Sequence, residues 1–504
     1  MCCKNSNRGD GDAFAWRVKT KRVIRHLGIL SLFLIAINII TAEVSGQNKS
    51  RNIDSLITQY YNAGQFNGVA LVVERGTVIY KKAFGYANFE WKIPNTPDTK
   101  FRIGSITKSF TAILALQLVE RGKIRLDDRI TEYLPGFSSG TGGKITVRQL
   151  LTHTSGLPDY NNVPDFFRAV QSGLLSNAEI LKRISEYDLL FEPGTNFNYS
   201  NDGYRVLGAI IEKVTGRSYE QVLRENILVP LNMRNSGYIS RTALLKRRAL
   251  GYRKRLSGLE NAQYYEASPA SGIYSTAGDL LLWQQALSSN KLLSQKYKDL
   301  MWGIAASGNA YGWLVSEKPL AEGGPIKRVV KSEGAVFGYF AWTLRIPQDD
   351  HLIVLLTNVR AAVNYLPNIS GEITRILYNQ PYQKPKRSIA ERLLSTFTLR
   401  GINAALEQYR ELKSKQFDSY SFVETELNDL GYELVNRGKT KEAIEVFKLN
   451  VEVYPLSANA YDSLGEAYMK SGDKERAIIN YQKSVELNPK NTGAVEILKR
   501  LKQN

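Results

Sequence analysis

Ser105 and Lys108 stand three residues apart in KFRIGSITKSF, at the head of an apolar run, Phe110–Val119. If that run is helical, positions i and i+3 share a face and the amine reaches the hydroxyl. A serine hydroxyl is a weak nucleophile until a neighbouring base takes its proton. Lysine serves as that base when burial or a second cation lowers its pKa. The amides at a helix N-terminus suit the oxyanion that forms on an attacked carbonyl. The pattern S-x-x-K discriminates poorly by itself. It recurs at Ser288, in a polar loop-like stretch, and at Ser471, in a turn.

A second element is Tyr199-Ser200-Asn201, which follows a Pro193-Gly194 turn and precedes an apolar stretch, Tyr204–Val214. A tyrosine at such a junction presents its hydroxyl in a cleft, and beside an ammonium its pKa would fall so that it could relay protons. A packed aromatic with a satisfied hydroxyl is the plainer alternative. The third element is Ser332-Glu333-Gly334-Ala335-Val336-Phe337-Gly338-Tyr339. It reads as edge-strand backbone whose glycines let a substrate come close. His153, in LLTHTSGLPDY, invites a Ser–His scheme. The three histidines, His26, His153 and His351, are too scattered for a metal site of ordinary spacing.

The elements that must position these groups alternate in type as far as residue 380. GVALVVE and TVIYKKAF, around Arg75-Gly76, predict a β-hairpin. QPYQKPKR, at 380–387, carries two prolines and three cations and reads as a linker over 381–387. Beyond it everything reads as helix. Leu430, Gly431, Gly438, Ala443 and Pro455 recur as Leu464, Gly465, Gly472, Ala477 and Pro489, each at an offset of 34. That period resembles the tetratricopeptide repeat, with units at about 424–457 and 458–491. Flanking helices over Ser388–Lys415 and Thr492–Lys502 would cap the stack within a region 388–504. Such repeats serve either as a peptide- or protein-binding groove or as an appendage packed on the main domain.

Residues 53–380 resemble the serine β-lactamase-related superfamily. It holds class C β-lactamases, D-alanyl-D-alanine carboxypeptidases, D-aminopeptidases and esterases of one fold. The resemblance rests on TPDTKFRIGSITKSFTA, LLTHTSGLPDY, FNYSNDGYRVLGAIIE, SGIYSTAGDLLLW and SEGAVFGY, in that order. It implies an α/β fold: an antiparallel sheet flanked by helices with an all-helical subregion, here followed by an all-α tetratricopeptide repeat domain. It implies Ser105 as nucleophile, with Lys108 and Tyr199 sharing the base and acid roles. Asn201, Ser332, Gly334 and Ala335 would bind substrate, and the Ser105 and Ala335 amides would form the oxyanion hole. No metal or organic cofactor is implied. The family normally carries Lys or His at the position of Ser332, where a cation meets a substrate carboxylate. A neutral residue there tilts the expectation from β-lactams towards esters or amides without that charge. A non-catalytic binding protein and a cell-wall acyl transferase are the alternatives.

Residues 17–25 hold five cations, Leu27–Ile40 are mostly apolar, and small residues follow with Val44 and Gly46 placed as at a cleavage site. This order predicts an export signal over 1–46, or an uncleaved anchor over 23–42 that would associate with the membrane. The body of the protein would then be periplasmic or extracellular. The only cysteines are Cys2 and Cys3, which excludes a disulfide scaffold. The net charge is +19, yet residues 424–504 hold 12 basic and 13 acidic side chains, so the excess lies upstream. No basic block with interleaved aromatics argues for nucleic acid; the expected partners are an ester or amide substrate and a protein or peptide at the repeats.

Overall fold

The computed structural model describes residues 46–137, 141–172, 175–240, 242–262, 267–303, 309–360 and 365–503. The export segment expected at 1–46 and the anchor at 23–42 lie outside the described residues, save Gly46. None of the described helices is long and apolar enough to cross a membrane. Everything below concerns the compact unit Leu56–Asn504.

The expected hairpin forms from β1 (Gly68–Glu74) and β2 (Thr77–Phe84). These strands join β3 (Asn309–Ala310), β4 (Trp313–Pro319), β5 (Ile326–Val336), β6 (Tyr339–Ile346) and β7 (His351–Thr357). The sheet is antiparallel, in the order β3-β4-β5-β6-β7-β1-β2. Every residue of β6 and β7 is buried, so both faces of the sheet are covered there. The run at 107–120 forms helix α1 (Thr107–Glu120), buried from Thr107 to Leu118. Such a helix, apolar nearly all round, belongs in a core. Phe110 stacks on Trp283 at 3.8 Å between centroids, which ties α1 to the helix Ala277–Leu287.

The segment at 332–339 differs from its expectation. β5 lies inside the sheet, between β4 and β6. Its pairing with β4 ends at Leu314↔Lys331, while its pairing with β6 runs on to Val336↔Tyr339. Ser332–Val336 is thus an edge only locally, because β4 stops short.

After residue 387 the chain is almost wholly helical: α2 (Ile389–Lys415), α3 (Glu424–Asn436), α4 (Thr440–Val453), α5 (Ala458–Ser471), α6 (Lys474–Leu487) and α7 (Thr492–Gln503). The helix expected over 388–415 is broken at Gly401, whose φ of 81° and ψ of 177° leave helical space. The small repeat residues allow close helix approach. A Cβ on Gly431 would lie 2.4 Å from the Phe447 ring, and one on Gly465 would lie 3.2 Å from Tyr481. The helical region touches the sheet domain through the hairpin Tyr252–Arg255/Gly258–Asn261. There Lys254 pairs with Glu391 at 2.6 Å and Leu256 packs on the helical core.

Candidate active site

Ser105 sits in a single 3-10 turn, Gly104–Ile106, immediately before α1. The turn is tied down on both sides. The Ile103 amide donates to the Ile273 carbonyl (3.0 Å), and the Ile273 amide donates to Thr107 Oγ1 (3.1 Å). Gly104 takes a φ of +52° against the backbone of Gly334 and Ala335. A Cβ on Gly334 would meet the Ile103 carbonyl at 1.9 Å and the Ser105 nitrogen at 2.7 Å. Glycine at 334 is therefore a packing requirement: it lets β5 lie against the serine turn.

Lys108, one helical turn on, donates to Ser105 Oγ at 3.2 Å, Asn201 Oδ1 at 2.7 Å and the Ala270 carbonyl at 3.0 Å. Its ammonium also lies 4.8 Å from the centre of the Tyr199 ring. The residue is 2% exposed. Desolvation pulls its pKa from 10.5 down to about 7; the Arg205 charge adds to that fall, and Asp159 and Asp202 oppose it. A lysine near half-protonation at neutral pH can take and return a proton.

The Tyr199 hydroxyl donates to Ser105 Oγ at 2.7 Å. The residue is 41% exposed, on the wall of the cleft. The fall expected for its pKa does not occur. Desolvation at the hydroxyl raises it, only partly offset by the bond to Ser105, while Asp159 and Glu333 push it further up. The sequence showed a neighbouring ammonium but not the loss of water around the phenol. Tyr199 thus stays a protonated hydroxyl near neutral pH.

The loops behind these groups account for the block at 150–160 and for His153. The His153 Nδ1 accepts from the Ser200 amide (3.1 Å), and its carbonyl accepts from the Asn198 amide (2.9 Å). Its ring stacks on Tyr199 at 4.5 Å. Burial lowers its pKa to about 3, so it is neutral and holds the tyrosine loop. Asp159, to which no role was assigned from the sequence, accepts from both the amide and the Nδ2 of Asn201 at 2.7 Å. Asn201 therefore spans Asp159 and Lys108 and is engaged at both ends of its side chain. The signal for Asp159 lay in LPDY, but only the fold brings it to position 201.

Ser105, Lys108, Tyr199, Asn201, Ser332 and Ala335 all line one cleft of about 710 Å³. Gly334 is not among its lining residues; it acts through its contact beneath the serine turn. Phe197, Trp313, Leu314, Val336 and Phe337 supply apolar walls, and Glu333 and Arg360 are charged members that sequence reasoning had not singled out. Ser332 is buried, and Lys331, its neighbour, lies over the Trp342 ring.

The Beta-lactamase family model matches residues 53–366, and a tetratricopeptide repeat model matches 458–491. Penicillin-binding protein 4* of Bacillus subtilis (strain 168) is 30% identical over 365 residues, spanning 68% of this chain and 79% of that protein. A penicillin-binding protein from Bacillus halodurans superposes with a TM-score of 0.56 at 27% identity, over 62% of this chain and 99% of that one. EstCE1, described as a hydrolase with promiscuous acyltransferase activity, superposes with a TM-score of 0.56 at 25% identity, over 66% and 100%. With its serine turn, lysine and tyrosine gathered on one cleft beside an antiparallel sheet, the chain belongs to the beta-lactamase family, and it carries a tetratricopeptide repeat region behind that domain.

Proposed function

We propose that this protein is an extracytoplasmic serine hydrolase that cleaves an ester or amide through an acyl-enzyme on Ser105. The observation that carries this is the placement of Ser105 Oγ between the Lys108 amine (3.2 Å) and the Tyr199 hydroxyl (2.7 Å). Neutral Lys108 accepts the Ser105 proton as Oγ bonds to the substrate carbonyl carbon. The Ser105 and Ala335 amides receive the oxyanion. The C–O or C–N bond then breaks, and the leaving group takes a proton from Tyr199, which Lys108 replenishes. Water adds to the acyl-enzyme with its proton passing back along the same pair, and the acid leaves with Ser105 restored. Asn201 holds Lys108 in place and offers its remaining Nδ2 hydrogen to the substrate.

Export rests on the basic, apolar and small-residue order of residues 17–46. The repeats support a second role as a surface for a protein or peptide partner. EstCE1 favours one variant of the chemistry, in which an alcohol or amine replaces water as the acceptor.

Intact-mass analysis after a fluorophosphonate probe, beside Ser105→Ala, tests the reading. One adduct on the wild type and none on the variant is expected. A folded wild type without an adduct would turn the assignment to a binding protein.

A further inference from the structure

The cleft holds one carboxylate that the acyl chemistry does not use. Glu333 lines it and is exposed, and among the described residues it has no ion-pair partner. It precedes Gly334, the residue packed against the Ser105 amide. One strand residue is about 3.3 Å, so the carboxylate stems from backbone beside the reacting carbonyl. Its charge is felt at the Tyr199 hydroxyl. In the proposed reaction Tyr199 serves the departing group, so Glu333 flanks the leaving-group side.

The surrounding charges leave that field standing. Ser332, where the family carries a cation, is a buried neutral hydroxyl. Lys331 is on the same strand, but its ammonium lies over the Trp342 ring, 5.7 Å from the centroid. Arg360 also lines the cleft, over the Phe337 ring at 5.9 Å. Phe337 is four residues beyond Glu333, in the turn that follows β5. Lys108, the remaining cation, is buried and bonded to Ser105, Asn201 and Ala270.

We propose that Glu333 is a specificity-determining residue that favours esters or amides whose leaving group carries a cation and disfavours those whose leaving group carries a carboxylate. This rests on the acyl-enzyme chemistry above and names its substrate class. It gives the exchange at position 332 a purpose. Where the usual cation would attract a substrate carboxylate, this strand presents an anion to an ammonium or guanidinium.

The test is the rate of Ser105 phosphonylation by three methylphosphonothioates that differ only in the leaving thiol. These are thiocholine, its isostere with tert-butyl in place of trimethylammonium, and mercaptopropionate. Rates are measured at low and high salt, each divided by the same compound's spontaneous hydrolysis rate, and compared as ratios within each variant. In the wild type at low salt, thiocholine should leave about fivefold or more faster than the isostere, and mercaptopropionate slower by a similar factor. Salt should shrink both ratios. Glu333→Gln should bring them towards one, and Glu333→Lys should invert them. A wild-type ratio of one or below, or the wild-type ratio persisting in folded Glu333→Gln, overturns the proposal. So does labelling by a fluorophosphonate but by none of the three. If the fluorophosphonate itself leaves Ser105 unmodified, the acyl-enzyme reading fails instead. Should Glu333→Gln not fold, the wild-type ratio, its salt dependence and Glu333→Lys still decide.

Discussion

With Lys108 as the base, Ser105 reactivity depends on pH. Lys108 is pulled from 10.5 to about 7, first by desolvation. The reactive form is the free amine, so the rate climbs with pH through the folded pKa and then levels. With a pKa of about 7, half the amine is free at pH 7 and nearly all at pH 9, so the rate should rise only about twofold over that span. Below pH 6 it should fall about tenfold per unit. Had the lysine kept its ordinary pKa, about 0.03% would be free at pH 7 and the rate would rise about a hundredfold by pH 9. The Tyr199 hydroxyl, held up by desolvation, adds no inflection in this range. The assay is the second-order rate of fluorophosphonate labelling, followed by intact mass from pH 5 to 9. A hundredfold rise between pH 7 and 9 would mean that Lys108 is not desolvated as the fold requires. An inflection near 7 that survives in Lys108→Met would assign the base to another group.

Three further outcomes follow from the packing. Gly334→Ala puts a Cβ 1.9 Å from the Ile103 carbonyl; labelling of Ser105 should drop by about a hundredfold or more, because the serine turn must shift, while circular dichroism stays close to wild type. His153→Ala removes the stack on Tyr199 and the acceptor for the Ser200 amide; it should slow labelling and cost roughly 2–4 kcal/mol of stability, yet leave the inflection near pH 7 in place, since His153 does not titrate there. Gly431→Ala drives a methyl into the Phe447 ring; hydrogen exchange should show about 1–3 kcal/mol of loosening confined to α3–α6, with Ser105 labelling little changed.

Much of the site was legible because its information is local. Ser105 and Lys108 are one helical turn apart, so adjacency follows from helix geometry alone. The repeats were legible for the same reason: their contacts recur every 34 residues, and Gly431 and Gly465 mark where helices touch. The break at Gly401 was missed, since a lone glycine inside a helical pattern is usually tolerated. The raised pKa of Tyr199 was missed because neighbouring charge can be inferred from a motif, but desolvation depends on everything that packs around the hydroxyl.

The amino-acid sequence by itself determined which groups can react, their order along the chain and the repeat that follows them. Chemistry resides in residue types, and helix periodicity is a property of the local backbone. The tertiary structure alone decided how those groups are tuned. It brings the Ala270 carbonyl, Asp159 and Asn201 to Lys108, and it stops β4 short so that Ser332–Val336 faces a cleft. It also sets Glu333, next to the position where the family carries a cation, on the cleft with no ion-pair partner among the described residues. These depend on contacts between residues tens to hundreds of positions apart, and on the water that those contacts exclude, neither of which leaves a period in the sequence.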